Sequence, residues 1–180
     1  MPFGLKTAPA TFQRVMNTAL TGLTGTRCFC FLDDFVIYAS SLVDHDKKLR
    51  DVFRRLRKNL KLEPDKCEFL RKEITFLGHK ISESRVEPDN RKVEAIENSP
   101  QLNTVKQLKS FLGLAGYYRR FVLHFSKIAA PLHKLLKKDE KFAWGEDQEI
   151  AFRTLKQKLV SKPILQYPDF SEEFILTTDA

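Results

Sequence analysis

Asp33 and Asp34 are two adjacent carboxylates where charge is otherwise missing. Residues 28–32 and 35–39, which flank them, contain no other charged side chain. Placing both acids within such an apolar run costs roughly several kcal/mol each unless cations compensate. Carboxylate oxygens suit Mg²⁺. Adjacent strand residues point to opposite faces, so the pair serves one ion from one side only where a turn distorts the pleat. A two-metal site then needs a further carboxylate from another strand. A solvent-exposed Asp-Asp hairpin turn fits the dipeptide as well, and the dipeptide alone leaves both readings open.

The elements around the pair follow from periodicity. Thr7 is placed to cap a helix with Pro9 in its first turn. Phe12, Val15, Met16, Ala19 and Leu20 form its apolar stripe, and Gly22 and Gly25 end it. Residues 28–32 and 35–39 read as a hairpin with the acids at its turn. Residues 44–60 read as a second helix, with Leu49, Val52, Phe53, Leu56 and Leu60 inward and a basic outer face. Residues 67–70 and 74–81 read as two more strands around a polar turn. Composition shifts near Glu87-Pro88, and four helices follow at about 89–98, 104–118, 126–137 and 146–161. A final strand is expected at 174–180. The order is α+β, then helical, then the start of something new.

Composition narrows the function classes. The chain has 180 residues, 31 Lys and Arg against 23 Asp and Glu, and a net charge of +8. Apolar residues at 42% exclude a collagen, a disulfide scaffold and a wholly disordered tail. The positive excess points to a polyanion, most simply nucleic acid, although a basic domain that binds none has the same balance. Cys28, Cys30 and Cys67 match no zinc spacing and read as reduced thiols. Cys28 and Cys30 read as small core residues on one strand face. No stretch has the apolar length of a membrane span. Both ends read as interior sequence, which predicts a fragment of a longer polypeptide.

Several motifs, in order, resemble the reverse transcriptase of gypsy-type LTR retrotransposons along nearly the whole chain. Met1-Pro2-Phe3-Gly4-Leu5-Lys6 with Ala8-Pro9-Ala10-Thr11-Phe12-Gln13 resembles the palm motif beside the incoming nucleotide and template. Phe31-Leu32-Asp33-Asp34 resembles the aromatic-X-Asp-Asp metal motif, with Phe31 standing where tyrosine is usual. Phe76-Leu77-Gly78-His79 resembles the primer grip. Residues 104–121 are similar to the thumb and its minor-groove helix. Phe142-Ala143-Trp144 and residues 151–159 resemble the link to RNase H, and residues 174–180 its first strand.

The resemblance implies a fold and a set of roles. The fold is α+β: a partial palm over residues 1–87, thumb helices over 88–138, a connection over 139–170 and the opening of an RNase H-like domain over 171–180. Asp33, Asp34 and Asp179 are implied as metal-binding catalytic acids. Phe3, Gly4, Lys6 and Phe31 are implied to border nucleotide or template, and Phe76, Leu77, Gly78 and His79 to grip the primer. Lys106, Lys109, Gly113 and Tyr117 share one helix face at three-or-four spacing. They are implied to meet phosphate, groove and sugar. Without the resemblance, Gly113 and Gly116 also fit close helix packing with the tyrosines in a core. His79 reads as a half-buried structural residue.

The implied chemistry is attack of a primer 3′-hydroxyl on a deoxynucleotide α-phosphate, with two Mg²⁺ (or Mn²⁺) ions per site. The implied partners are RNA/DNA and DNA/DNA primer–template duplexes, deoxynucleoside triphosphates and the rest of a Pol polyprotein, with no membrane. The implied setting is cytoplasmic, in virus-like particles with a nuclear phase, and not secreted. The resemblance places the first palm aspartate ahead of Met1, so the chain by itself is expected to be inactive. A non-catalytic nucleic-acid-binding module derived from a retroelement, or a helical scaffold with incidental charge, are the competing classes.

Overall fold

The computed structural model describes residues 4–57, 60–138, 140–161, 165–167 and 169–173. Phe3, Asp179 and the expected strand at 174–180 lie outside these residues. The chain divides into two compact units, residues 1–70 and 71–180. The fold is mixed, with helices and small antiparallel sheets, as the sequence predicts.

In the first unit, α1 (Ala8–Ala19) has its proline in the first turn, where the fixed φ suits a helix start. Thr7 occupies the N-cap position but makes no side-chain capping bond, contrary to expectation. Strands β1 (Cys28–Phe31) and β2 (Asp34–Ile37) pair antiparallel, from Cys28 opposite Ile37 to Phe31 opposite Asp34. Helix α2 (Leu42–Leu56) starts two residues before the expected Asp44, because Ser41 caps it by accepting the Asp44 N–H at 3.2 Å. Met16, Leu20, Leu23, Cys28, Val52 and Leu56 form the core, with Cys30, Phe35 and Ile37 packed against it. The two cysteines therefore share the inward face of β1. The outer face of α2 is less basic than the sequence suggests. Lys48 pairs with Asp44 and Arg50 with Asp46, each at 2.8 Å, while Asp51 takes both Arg27 and Arg54.

Residues 67–70 form no strand. A 3₁₀ turn at Pro64–Lys66 precedes them, Leu70 is left-handed at φ 54°, and Phe69 and Leu70 are exposed. No face is buried there to reward a strand.

In the second unit, the expected strand 74–81 is instead a hairpin. Its strands are β3 (Glu73–Phe76) and β4 (His79–Ser82), with Phe76 opposite His79. Leu77 and Gly78 both take positive φ, 47° and 69°, the geometry of a tight two-residue turn. Strand β5 (Arg85–Pro88) pairs with β4, and β6 (Leu165–Gln166) returns to pair with β5. The four expected helices are α3 (Asn90–Glu97), α4 (Val105–Tyr117), α5 (Phe125–Lys134) and α6 (Glu146–Val160). Asp89 caps α3, accepting from the Arg91 N–H at 3.0 Å and from its guanidinium. That hydrogen bond and charge hold the Asp89 carboxyl below the ordinary carboxylate range. Thr104 caps α4 by accepting from the Gln107 N–H, and Gln107 accepts in return from the Asn103 N–H. The apolar sides of all four helices meet in one core that includes Ile96, Leu108, Tyr118, Leu132, Leu155 and Leu159.

Candidate functional site

The acids stand at the tip of the β1–β2 hairpin. Leu32 and Asp33 form the two-residue loop, and Asp34 opens β2 opposite Phe31. Both acids are exposed, so the desolvation cost expected from the apolar flanks does not arise. Asp34 shares the outward face with Phe31 and Phe29, both 52% exposed, and Phe29 stacks on Tyr38 at 5.3 Å. The inward face carries Cys28, Cys30, Phe35 and Ile37. A two-faced ribbon thus puts its greasy side into the core and its acids into solvent.

Leu32 is left-handed at φ 54°, an uncommon state for a γ-branched residue. Its loop is held from α1. Gln13 Oε1 accepts the Leu32 N–H at 2.6 Å, and Gln13 Nε2 donates to the Cys30 carbonyl at 3.4 Å. The Cys30 thiol donates to the Leu32 carbonyl at 3.6 Å. Burial first, then the nearby Cys28, Asp33 and Asp34, push the Cys30 thiol up. The turn is therefore fixed on three polar contacts while the acids themselves are left free. Among the described residues no cation pairs with Asp33 or Asp34.

Exposed, uncompensated carboxylates on a fixed turn fit a hard divalent cation. They do not complete a site. Among the described residues no group of three or more His, Cys, Asp or Glu is arranged to hold a metal. Gly4 and Lys6 sit in the exposed segment before α1, and among the described residues no hydrogen bond or ion pair ties either to the tip. Gln13 belongs to the palm-like motif, but that motif does not mark it as the residue that holds the loop. The sequence signal is an amide three residues ahead of buried Met16, with the Asn17 amide one turn further on accepting from it at 2.9 Å.

The second cluster lies wholly in the second unit. Lys106, Lys109, Gly113 and Tyr117 line the exposed face of α4, while Leu108, Phe111, Leu112, Ala115 and Tyr118 are buried. A Cβ built on Gly113 or on Gly116 meets nothing within 4 Å. Neither glycine serves helix packing among the described residues. Each costs the helix about 1 kcal/mol relative to alanine with no return inside the unit. No acidic residue occurs from 104 to 121, and Lys106, Lys109, Arg119 and Arg120 are all exposed. The face is a shallow, positively charged, side-chain-poor strip.

The β3–β4 tip joins this strip. Tyr117 donates its hydroxyl to the Leu77 carbonyl and Tyr118 to the Gly78 carbonyl, each at 2.6 Å. His79 packs on Tyr117, Tyr118 and Phe121, with ring centroids 5.4, 5.6 and 5.9 Å away. It is half-buried, as the sequence suggests. Tyr118 is fully buried, and burial pushes its hydroxyl up to about 12. Tyr118 was not singled out in the sequence, where only the tandem of tyrosines marked it.

Comparison with known proteins gives a consistent result. Residues 1–81 match the family "Reverse transcriptase (RNA-dependent DNA polymerase)" and residues 144–180 match "RNase H-like domain found in reverse transcriptase". The whole chain is 46% identical to the retrovirus-related Pol polyprotein from transposon 297 of Drosophila melanogaster, spanning 17% of it. It is 40% identical to that from transposon 412 of the same fly, spanning 15%. It is 38% identical to the Tf2-3 polyprotein of Schizosaccharomyces pombe, spanning 14%. Among solved structures, a foamy viral protease–reverse transcriptase in complex with double-stranded DNA matches 93% of this chain and 30% of its own, at TM-score 0.82 and 27% identity. The foamy viral enzyme in complex with RNA/DNA hybrid matches 92% of this chain and 23% of its own, at TM-score 0.79.

Proposed function

We propose that this chain, which belongs to the reverse-transcriptase family of retrotransposon Pol polyproteins, supplies two metal-binding acids and a duplex-holding face to an RNA-directed DNA polymerase. The observation that carries the reading is the hairpin tip, where Asp33 and Asp34 stand exposed, with no cation paired to either among the described residues, on a turn that Gln13 fixes. Asp33 and Asp34 would hold a divalent cation there, which would supply charge stabilisation when a primer 3′-hydroxyl attacks an α-phosphate. Phe31, beside the tip, offers an aromatic face without a phenol hydroxyl, and Gly4 and Lys6 offer backbone access and a point charge to the nucleotide.

The α4 strip takes the duplex. Lys106 and Lys109 meet phosphates, and the bare Gly113 and Gly116 let a groove approach the helix backbone. Phosphate contacts carry no sequence information, so the template base and not the protein selects the nucleotide. The charge predicts binding that weakens steeply with salt. Residues 1–87 then serve as palm, 88–138 as thumb, 139–170 as connection and 171–180 as the opening of an RNase H-like domain, with Asp179 among that domain's acids. Two carboxylates do not hold two metals, and no third acid joins them among the described residues, so in this reading the chain alone is inactive.

The test is primer extension. In a polymerase that contains this segment, Asp33→Asn lowers extension by about a thousandfold and leaves salt-dependent duplex binding in place. Retention of extension refutes the catalytic role. Extension by the 180-residue chain alone, abolished by Asp33→Asn, refutes its inactivity. A binding module without chemistry predicts duplex affinity and no effect of Asp33→Asn in either assay.

A further inference from the structure

The β3–β4 tip is held by more than a hairpin needs. The Gly78 carbonyl takes two donors, which saturates its two lone pairs, and the Leu77 carbonyl takes a hydroxyl with a ring nitrogen of His79 beside it. The Leu77 oxygen takes the Tyr117 hydroxyl at 2.6 Å, with His79 Nδ1 2.9 Å away. The Gly78 oxygen takes the Tyr118 hydroxyl at 2.6 Å and the Asp89 N–H at 3.1 Å. Two successive residues of one helix end thus bind two successive carbonyls of one turn.

Burial does not require both bonds. Tyr118 is fully buried, and its hydroxyl needs a partner wherever it points. Tyr117 is 54% exposed, so water would satisfy its hydroxyl and phenylalanine would satisfy its packing on His79. The turn also lies directly against the pair, and its positive φ calls for glycine at position 78. A Cβ on Gly78 would come to 3.4 Å from both the Tyr117 ring and the Tyr118 hydroxyl, at φ +69°. Leu77 keeps an unfavourable left-handed φ of 47° beside it.

We infer that Tyr117 and Tyr118 are positioning residues that lock the β3–β4 tip to α4, so that the tip and the glycine-floored helix face meet a primer end as one rigid body. The inference rests on the duplex-binding reading above and adds a division of labour to it. The strip on α4 supplies affinity along the duplex. The tyrosine hydroxyls fix where the turn sits relative to that strip, and hence where a 3′ terminus is held. A loose tip would leave affinity intact and lose registration, and misplacement by about 1 Å is costly to a reaction that needs alignment.

The test uses the 180-residue chain with a primer–template duplex. A photoreactive nucleotide is placed either at the recessed 3′ terminus or well upstream in the duplex. Amide exchange at Leu77, Gly78, His79 and Asp89 is measured in parallel. Tyr117→Phe is expected to leave the thermal midpoint near that of wild type. It raises exchange at the turn about tenfold and lowers terminal crosslinks to residues 76–80 by a similar factor, while upstream crosslinks persist. Tyr118→Phe does the same with a lower midpoint; should it fail to fold, Tyr117→Phe decides alone. Unchanged exchange and unchanged terminal crosslinking overturn the inference. A parallel loss of affinity and of both crosslinks also overturns it, because Tyr117 is then simply a duplex contact. If wild type binds no duplex, the functional reading above fails, and amide exchange by itself decides whether the clamp exists.

Discussion

The two hairpins solve one mechanical problem in opposite ways. Each has a two-residue loop whose first position is a leucine held left-handed, Leu32 at φ 54° and Leu77 at φ 47°. Each tip is fixed by a neighbouring helix of its own unit. Gln13 of α1 reaches the first through an amide side chain, bonding a loop N–H and a strand carbonyl. Tyr117 and Tyr118 at the end of α4 reach the second through hydroxyls, bonding only carbonyls. The difference lies in what the tip displays. The first leaves two carboxylates exposed, with no cation paired to either among the described residues. The second displays no charge at its turn and is braced by aromatic rings around His79. A helix-held turn is the shared device; the residue after the leucine, acid or glycine, separates a tip that displays two carboxylates from one that is closed by tyrosine hydroxyls.

The comparison can be broken first at Tyr118. Its hydroxyl is raised from 10.0 to about 12, mainly by burial. A raised folded value means that the neutral form is favoured in the native state. Its contribution is complete below pH 10 and is lost as pH climbs toward 12. The loss across that window is on the order of 2 kcal/mol. Urea midpoints measured from pH 9 to 12 should fall more steeply for wild type than for Tyr118→Phe. Parallel slopes would remove the buried hydroxyl from the account.

A smaller effect is expected at the first hairpin. Gln13→Leu keeps the volume of the side chain and leaves the part-buried Leu32 N–H without its acceptor. It should cost about 1 kcal/mol in urea unfolding. Exchange at the Leu32 amide should rise, with no change at Leu77. A rise at both turns would mean that Gln13 acts on the whole fold and not on its own loop.

Much of this was legible in the residues, for reasons that differ by element. The α1, α2 and α3–α6 helices carry apolar residues at helical spacing with caps at Ser41, Asp89 and Thr104, and periodicity of that length is a strong signal. The first hairpin announced itself because its acids interrupt an apolar run. The second did not. Residues 74–81 have strand-like content throughout, and only Gly78 hinted that the chain reverses there, since a left-handed leucine has no sequence signature. Strand β5 has little signature in sequence because Arg85–Pro88 is short and half polar, and its pairing with β4 and β6 is a tertiary gain. Residues 67–70 look like a strand but join neither sheet among the described residues. At the site, the residue types of the acids and of the α4 face were readable. Gln13 and Tyr118 were not, because what they do is fixed by a hydrogen bond across elements.

The central claim is that the first tip binds a divalent cation through both acids. Titrating Mn²⁺ into the ¹⁵N-labelled chain tests it directly, because bound Mn²⁺ broadens nearby amide signals. The account predicts broadening centred on Leu32, Asp33, Asp34 and Phe35, abolished by Asp33→Asn with Asp34→Asn and absent at Leu77 and Gly78. Broadening that survives the double substitution, or that never centres on the first hairpin, contradicts it.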